Sequence, residues 1–270
     1  MRSTQDLFHF YNKELMPTLK VLEQERRALV NKLNMIAIPI VVLAFGGCYW
    51  IYSLNQPRLA LYWFVIIFGI GAAISAYLSK GYTSNFKDQV IHKIVHFADP
   101  SLQYFKTAYI PLNIFQASQI FAEYADVYDG DDYVKGTIGS TAIEFSEIVA
   151  KKEVRDSKGR RHYTTFFKGL FFIADFNKHF HGKTFVLPDT AEKIFGGFGQ
   201  MFQKMNISRP DLVKLENPEF EKDFAVYSEN QVEARYILST SLMQRILNFK
   251  KKCGRKVYLS FVGSKVYVAI

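Results

Sequence analysis

Charge is missing from two stretches of this 270-residue chain, Met35–Leu54 and Leu59–Ser79, which hold no Asp, Glu, Lys, Arg or His and are separated only by Asn55-Gln56-Pro57-Arg58. Apolar runs of about 20 residues have the length a helix needs to cross a hydrocarbon core, where a helix satisfies its own backbone. With no ionisable side chain at membrane depth there is no visible ion path, proton relay or substrate counter-ion, which argues against a transporter. Cysteine is scarce: Cys48 lies in the first stretch and Cys253 far along the chain, so a disulfide framework is excluded and reduced thiols suit a cytosolic domain. The pattern of a cleaved secretory signal is missing too, because mostly polar residues precede the first span; that span is expected to remain as an anchor. No serine, cysteine or threonine stands in a nucleophile motif such as Gly-x-Ser-x-Gly.

What is present is cationic. The net charge of +9 divides as +2 before the hairpin, +1 in its loop and +6 after it. Arg2, Lys13, Lys20, Arg26, Arg27 and Lys32 precede the first span, Lys80, Lys87 and Lys93 follow the second, and the loop holds only Arg58. By the positive-inside rule both termini are expected in the cytoplasm, with the chain as a multi-pass protein of the inner (plasma) membrane. Tyr49, Trp50, Tyr52, Tyr62 and Trp63 gather at the loop end of the spans, as interfacial aromatics do. A cytosolic domain of positive sign is attracted to an anionic leaflet.

Four regions are expected. Residues 1–34 form an amphipathic helix whose Leu15, Leu19, Leu22, Leu29 and Leu33 make a stripe with Arg26 in the seam, able to pack within the chain, on lipid or against a second copy. Pro17 is expected to kink or restart it. Residues 35–79 form the transmembrane hairpin, with Gly46, Gly47, Gly69, Gly71, Ala72 and Ala76 allowing close helix approach. Residues 80–128 read as a helical connector, with one tract carrying Phe86, Val90, Ile94 and Phe97 and a second from Ile114 to Tyr128. Residues 129–270 form the cytoplasmic domain.

In that domain the period changes to two. Tyr133–Thr137, Ala142–Val154, His162–Ile173, Lys183–Leu187, Leu212–Glu216 and Phe224–Tyr227 read as strands, Asn230–Lys250 as a helix, and Lys256–Phe261 with Lys265–Ile270 as a closing hairpin. Strands, then a helix, then strands predict an α+β domain of antiparallel strands with helices, attached to a two-helix transmembrane hairpin. The last residues stop in mid-strand, so a further C-terminal segment is expected.

The run from Phe166-Phe167-Lys168-Gly169 through Asp175-Phe176-Asn177-Lys178, closing with Gly182-Lys183-Thr184-Phe185-Val186-Leu187-Pro188-Asp189, resembles the signature of an uncharacterised bacterial membrane family, domain of unknown function 3137. Leu215-Glu216-Asn217-Pro218-Glu219-Phe220, Phe224-Ala225-Val226-Tyr227 and Glu233-Ala234-Arg235-Tyr236-Ile237-Leu238 agree with it, so that the resemblance covers roughly Tyr128 to Ile270. It implies no catalytic residues and no cofactor. It does imply a bacterial inner membrane and, as a partner, a LemA-family protein.

Chemistry-bearing groups are few. His92 and His96 share a helix face, and His179 and His181 share a side of an extended segment; each pair could ligate a metal, but His92-Lys93-Ile94-Val95-His96 lacks the protease glutamate and no third ligand is near. Asp126, Asp129, Asp131 and Asp132 lack the ligand spacing of a calcium loop and read as a solvated turn. Phe195-Gly196-Gly197-Phe198-Gly199 follows no clear strand and makes a poor phosphate cradle. Lys250, Lys251, Lys252, Arg255 and Lys256 form the densest basic run; together with Arg235 they are the expected contacts to anionic lipid or a partner, although a helix C-terminus favours such cations without any ligand. No aromatic platform interleaves with them, which argues against nucleic acid. The leading expectation is a non-catalytic membrane protein whose domain binds a protein partner, a second copy or the anionic membrane surface. The alternatives are a membrane-tethered enzyme, perhaps metal-dependent, and an oligomeric transporter or channel component.

Overall fold

Fifty residues without an internal stop make the first element, α1 (Thr4–Ser53), and forty-two make the second, α2 (Pro57–Ala98). At 1.5 Å per residue they are about 75 and 63 Å long, well over the roughly 30 Å of a hydrocarbon core. Both are long and apolar enough to cross a membrane. This is a computed structural model; it describes residues 4–189 and 210–270 and divides into two units, Met1–Pro100 and Ser101–Ile270.

In the first unit the hairpin turns through Asn55, which takes a left-handed φ of 61°, and Pro57 opens α2, where its missing N–H costs nothing. Gly47 is required here because the Trp63 indole occupies the space a Cβ would need, and the Trp63 Nε1–H donates to the Leu43 carbonyl at 3.0 Å. Gly71 packs on Ile40, whereas Gly46 and Gly69 have open space around them, so only part of the small-residue stripe joins the two helices. Pro17 does not break α1: a π-helical turn, Tyr11–Leu15, precedes it and relieves the clash of its ring with the preceding turn. Leu15, Leu19 and Leu22 of the leucine stripe pack within the chain. Phe10, Leu15 and Leu22 are buried together with Val90, and the Phe10 and Phe97 rings stack at 4.0 Å.

Among the described residues the second unit is built on a nine-stranded antiparallel sheet of order β1-β2-β3-β4-β9-β8-β5-β7-β6. Its strands are β1 (Gln103–Phe105), β2 (Val127–Ile138), β3 (Thr141–Arg155), β4 (Arg161–Asp175), β5 (Thr184–Pro188), β6 (Asp211–Leu212), β7 (Phe224–Ser228), β8 (Tyr258–Val262) and β9 (Lys265–Ala269). Its helices among the described residues are α3 (Leu112–Ala117), α4 (Pro218–Asp223), α5 (Gln231–Ile237) and α6 (Thr240–Cys253). The long β3–β4 hairpin turns at Asp156, whose Oδ1 accepts the N–H groups of Lys158 and Arg160. Side-chain alternation splits the core between the two faces. Phe167, Phe171, Ile173, Tyr267 and Ala269 lie under Phe115, Ile120 and Phe121 on one face. On the other, Leu259, Phe261, Val266 and Val268 lie under Met243, Ile246 and Leu247 of α6. The chain is thus an α+β unit plus a helical hairpin.

Local boundaries depart from the sequence periodicity in several places: the expected strand Leu212–Glu216 is strand only at Asp211–Leu212, and the expected helical connector 80–128 contains β1. The expected helix Ile114–Tyr128 is helical only as far as Ala117: Gln119 takes a φ of 54°, and Ile120, Phe121 and Ala125 run irregularly across the sheet, each gaining burial there. Of the acidic residues expected as a turn, Asp129, Asp131 and Asp132 belong to β2, whose ladder shifts register between Asp131 and Val134, while Asp126 precedes the strand. The expected helix Asn230–Lys250 is two helices, because Ser239 caps α6 through the Leu242 N–H while Asn230 caps α5 through Val232 and Glu233.

Candidate functional site

Helix α6 carries Lys250, Lys251 and Lys252 in its last turn, where cations meet the negative end of the helix dipole. Gly254 ends it in the left-handed conformation at φ 62°, turning the chain sharply so that Arg255 and Lys256 follow directly into β8. The corner is divided electrostatically. Lys250 pairs with Asp223 at 2.9 Å and lies over the Phe224 ring at 5.1 Å. Lys251 pairs with Glu219 at 2.7 Å, and that hydrogen bond raises its pKa above the ordinary lysine value. Lys252, Arg255 and Lys256 are exposed and make no ion pair with a described residue.

Two clefts open at this corner. One, of about 440 Å³, lies between α4 and α6 and is bordered by Lys222, Lys250, Lys251, Arg255 and Lys256 with Asp189 and Asp223. The other, of about 640 Å³, has an aromatic floor of Phe121, Phe166, Phe167 and Tyr258. Phe121 stands 5.1 Å from Phe167 and 5.7 Å from Tyr258, ring centre to ring centre. Lys152, Lys168, Arg255 and Lys256 line it against one carboxylate, Glu123, whose Oε2 is buried with no hydrogen-bond partner among the described residues. Burial raises the Tyr258 hydroxyl pKa, so the phenol stays neutral. An arrangement of this kind can bind an anionic group over a flat apolar floor.

The other expected residues lie apart from this corner. Arg235, on α5, directs its Nε–H to the Lys214 carbonyl at 3.5 Å and lines neither cleft. His92 and His96 are exposed on α2. His179 and His181 are exposed in the loop before β5, and the His181 and Gly182 N–H groups donate to the Glu233 carboxylate. Among the described residues, the side chains that could jointly hold a metal are Asp131, Asp132 and Glu147, within 4.8 Å of one another, and no histidine joins them. Tyr104 donates its hydroxyl to Asp132, which holds one member of that trio. Phe195–Gly199 lies outside the described residues. Sequence reading missed Glu123, Lys152, Lys168 and Tyr258, which stand in no motif and meet only through the packing around β4.

The family model described as "Protein of unknown function (DUF3137)" matches residues 165–270, from within β4 to the last residue, and so includes the C-terminal lining of the larger cleft but not Phe121, Glu123 or Lys152. No curated protein matches. The crystal structure of the mycobacterial trehalose monomycolate transport factor A, TtfA, is similar over 64% of this chain and 76% of that one, at 11% identity and a TM-score of 0.36.

Proposed function

We infer that this is a membrane-anchored, non-catalytic docking protein of a bacterial inner membrane. In this reading α1 and α2 cross the bilayer as a hairpin with both chain ends cytoplasmic, and the Ser101–Ile270 unit engages an anionic partner protein through Lys252, Arg255 and Lys256. One observation carries the reading: these three cations are exposed and make no ion pair with a described residue, and Arg255 and Lys256 border both clefts, while their neighbours Lys250 and Lys251 are neutralised by Asp223 and Glu219. Unpaired surface cations steer and orient an anionic partner. A LemA-family protein is the partner class that the family resemblance implies.

Photo-crosslinking in cells from position 255 tests it. The expected result is a protein adduct that disappears when Lys252 and Lys256 are changed to Glu. Adducts to lipid alone, or protein adducts indifferent to the charge reversal, overturn the reading.

A further inference from the structure

Where β9 begins, the sheet face that carries Ile173 and Tyr267 opens into a cleft of about 520 Å³, bordered by Tyr133, Lys135, Glu144, Ile173, Asp175 and Lys265. Phe115, Ile120 and Phe121, which pack over the neighbouring part of this face, do not line it. Its lining belongs to the Ser101–Ile270 unit alone, and none of it adjoins Asp189 or Ile270. One rim is fixed at Ser101, whose Oγ donates to the Thr137 carbonyl at 2.5 Å, and at Gly136, where the Ser101 carbonyl occupies the place of a Cβ.

Strand register sets the charges on the floor. Lys135 is directly opposite Glu144, Glu144 opposite Ile173 and Ile173 opposite Tyr267, so the four share one face. Asp175 stands two residues beyond Ile173 on that face and directly opposite Lys265. Directly opposed side chains have Cβ atoms about 5 Å apart, close enough for each lysine to meet its carboxylate. Neither pair closes. Lys135 turns over the Phe105 ring at 5.4 Å, and one Glu144 oxygen accepts the Tyr133 hydroxyl at 2.7 Å. The Asp175 Oδ1 accepts the Asn177 N–H at 2.8 Å, and Lys265 makes no ion pair with a described residue. Two half-buried carboxylates therefore line the cleft between two cations, with acceptor and donor positions still free.

We propose that this cleft binds a free amino acid, its ammonium held by Glu144 and Asp175 and its carboxylate by Lys265. An α-amino acid carries its two charges on one carbon, which suits the opposed Asp175 and Lys265. Charge complementarity selects against the other small ions: a purely anionic ligand meets the two carboxylates and a metal cation meets the two lysines. The cleft falls within the roughly 300–1,000 Å³ of small-molecule sites and leaves room for the ligand's own side chain. Lys252, Arg255 and Lys256 do not line it, so the proposal goes beyond the docking reading and does not depend on it.

The test uses the full chain in zwitterionic nanodiscs, with empty nanodiscs as the blank, and saturation-transfer NMR of L-leucine. N-acetyl-leucine, which lacks the ammonium, and leucinamide, which lacks the carboxylate, serve as the controls. Leucine is expected to bind about tenfold or more tightly than either control, since each loses a charge-assisted hydrogen bond. Glu144→Gln is expected to erase most of the preference over N-acetyl-leucine and to keep the preference over leucinamide. Lys265→Gln is expected to do the reverse, a split that general loss of structure does not produce. Absence of leucine binding, or equal binding of the three compounds to the unaltered chain, overturns the proposal without any variant. Binding of phosphoethanolamine in place of leucine overturns it too, and assigns the cleft to a lipid headgroup.

Discussion

Glu233 joins two parts of the chain that the sequence keeps about 50 residues apart: its carboxylate accepts the His181 and Gly182 N–H groups at 2.9 and 2.8 Å, and Gly182 packs beside Asn230. A carboxylate accepting two backbone donors makes stronger bonds than a neutral acceptor, so this acidic residue of the Glu-Ala-Arg-Tyr block is explained structurally. Tyr133 offers a measurable consequence of burial. Burial first, and then its hydrogen bond to Glu144 at 2.7 Å, push its pKa from the ordinary 10.0 up to about 12. Because the folded-state value is raised, the stability tied to the neutral phenol is complete below pH 10.0 and is lost as pH rises toward about 12. Ultraviolet difference titration is expected to find one tyrosine, missing in Tyr133→Phe, that ionises near the upper value, and the stability loss between those pH values is expected to shrink in that variant. At this scale the sequence revealed the basic run Lys250–Lys256 but not its division into neutralised and free cations. Asp223 and Glu219 reach Lys250 and Lys251 only because α4 and α6 pack on one sheet face.

Helix ends follow local chemistry, and their positions were partly legible. Asn230, Ser239 and Gly254 are residues that cap or end helices in any context, yet the apolar spacing through Tyr236–Met243 ran on across the break at Leu238–Ser239. The tract after Ala117 failed as a helix for a different reason: Ile120, Phe121 and Ala125 are spaced as on a helix but are drawn individually onto the sheet, and burial outweighs the propensity of a short segment. Gly254 is the element-scale test. Its φ of 62° is the left-handed region and nothing lies within 4 Å of where a Cβ would be, so Gly254→Ala has a conformational cost without a clash. That cost is expected at about 1–2 kcal/mol, read as a lowered urea midpoint for the Ser101–Ile270 unit, with Gly254→Asn less harmful than Gly254→Ala.

For the whole molecule, the charge bias predicts that a reporter fused after Ile270 reads cytoplasmic and one inserted within Asn55–Arg58 reads external; the reverse pattern overturns the orientation. The hairpin was legible because the rule behind it is local: an uncharged run long enough to span has few alternatives, and four residues between two such runs force them to return. The α+β class was legible for a related reason, since period-two alternation and turn residues act over a few positions, as at Asp156–Arg160. The sequence by itself therefore determined the long apolar helices, the antiparallel hairpins and the cationic sign of the domain. Tertiary structure alone decided that β9 lies between β4 and β8, and that Glu123, Lys152, Lys168 and Arg255, drawn from separate segments, line one cleft. Strand order depends on which non-local pairings bury the most apolar surface together, and no short window of sequence carries that sum.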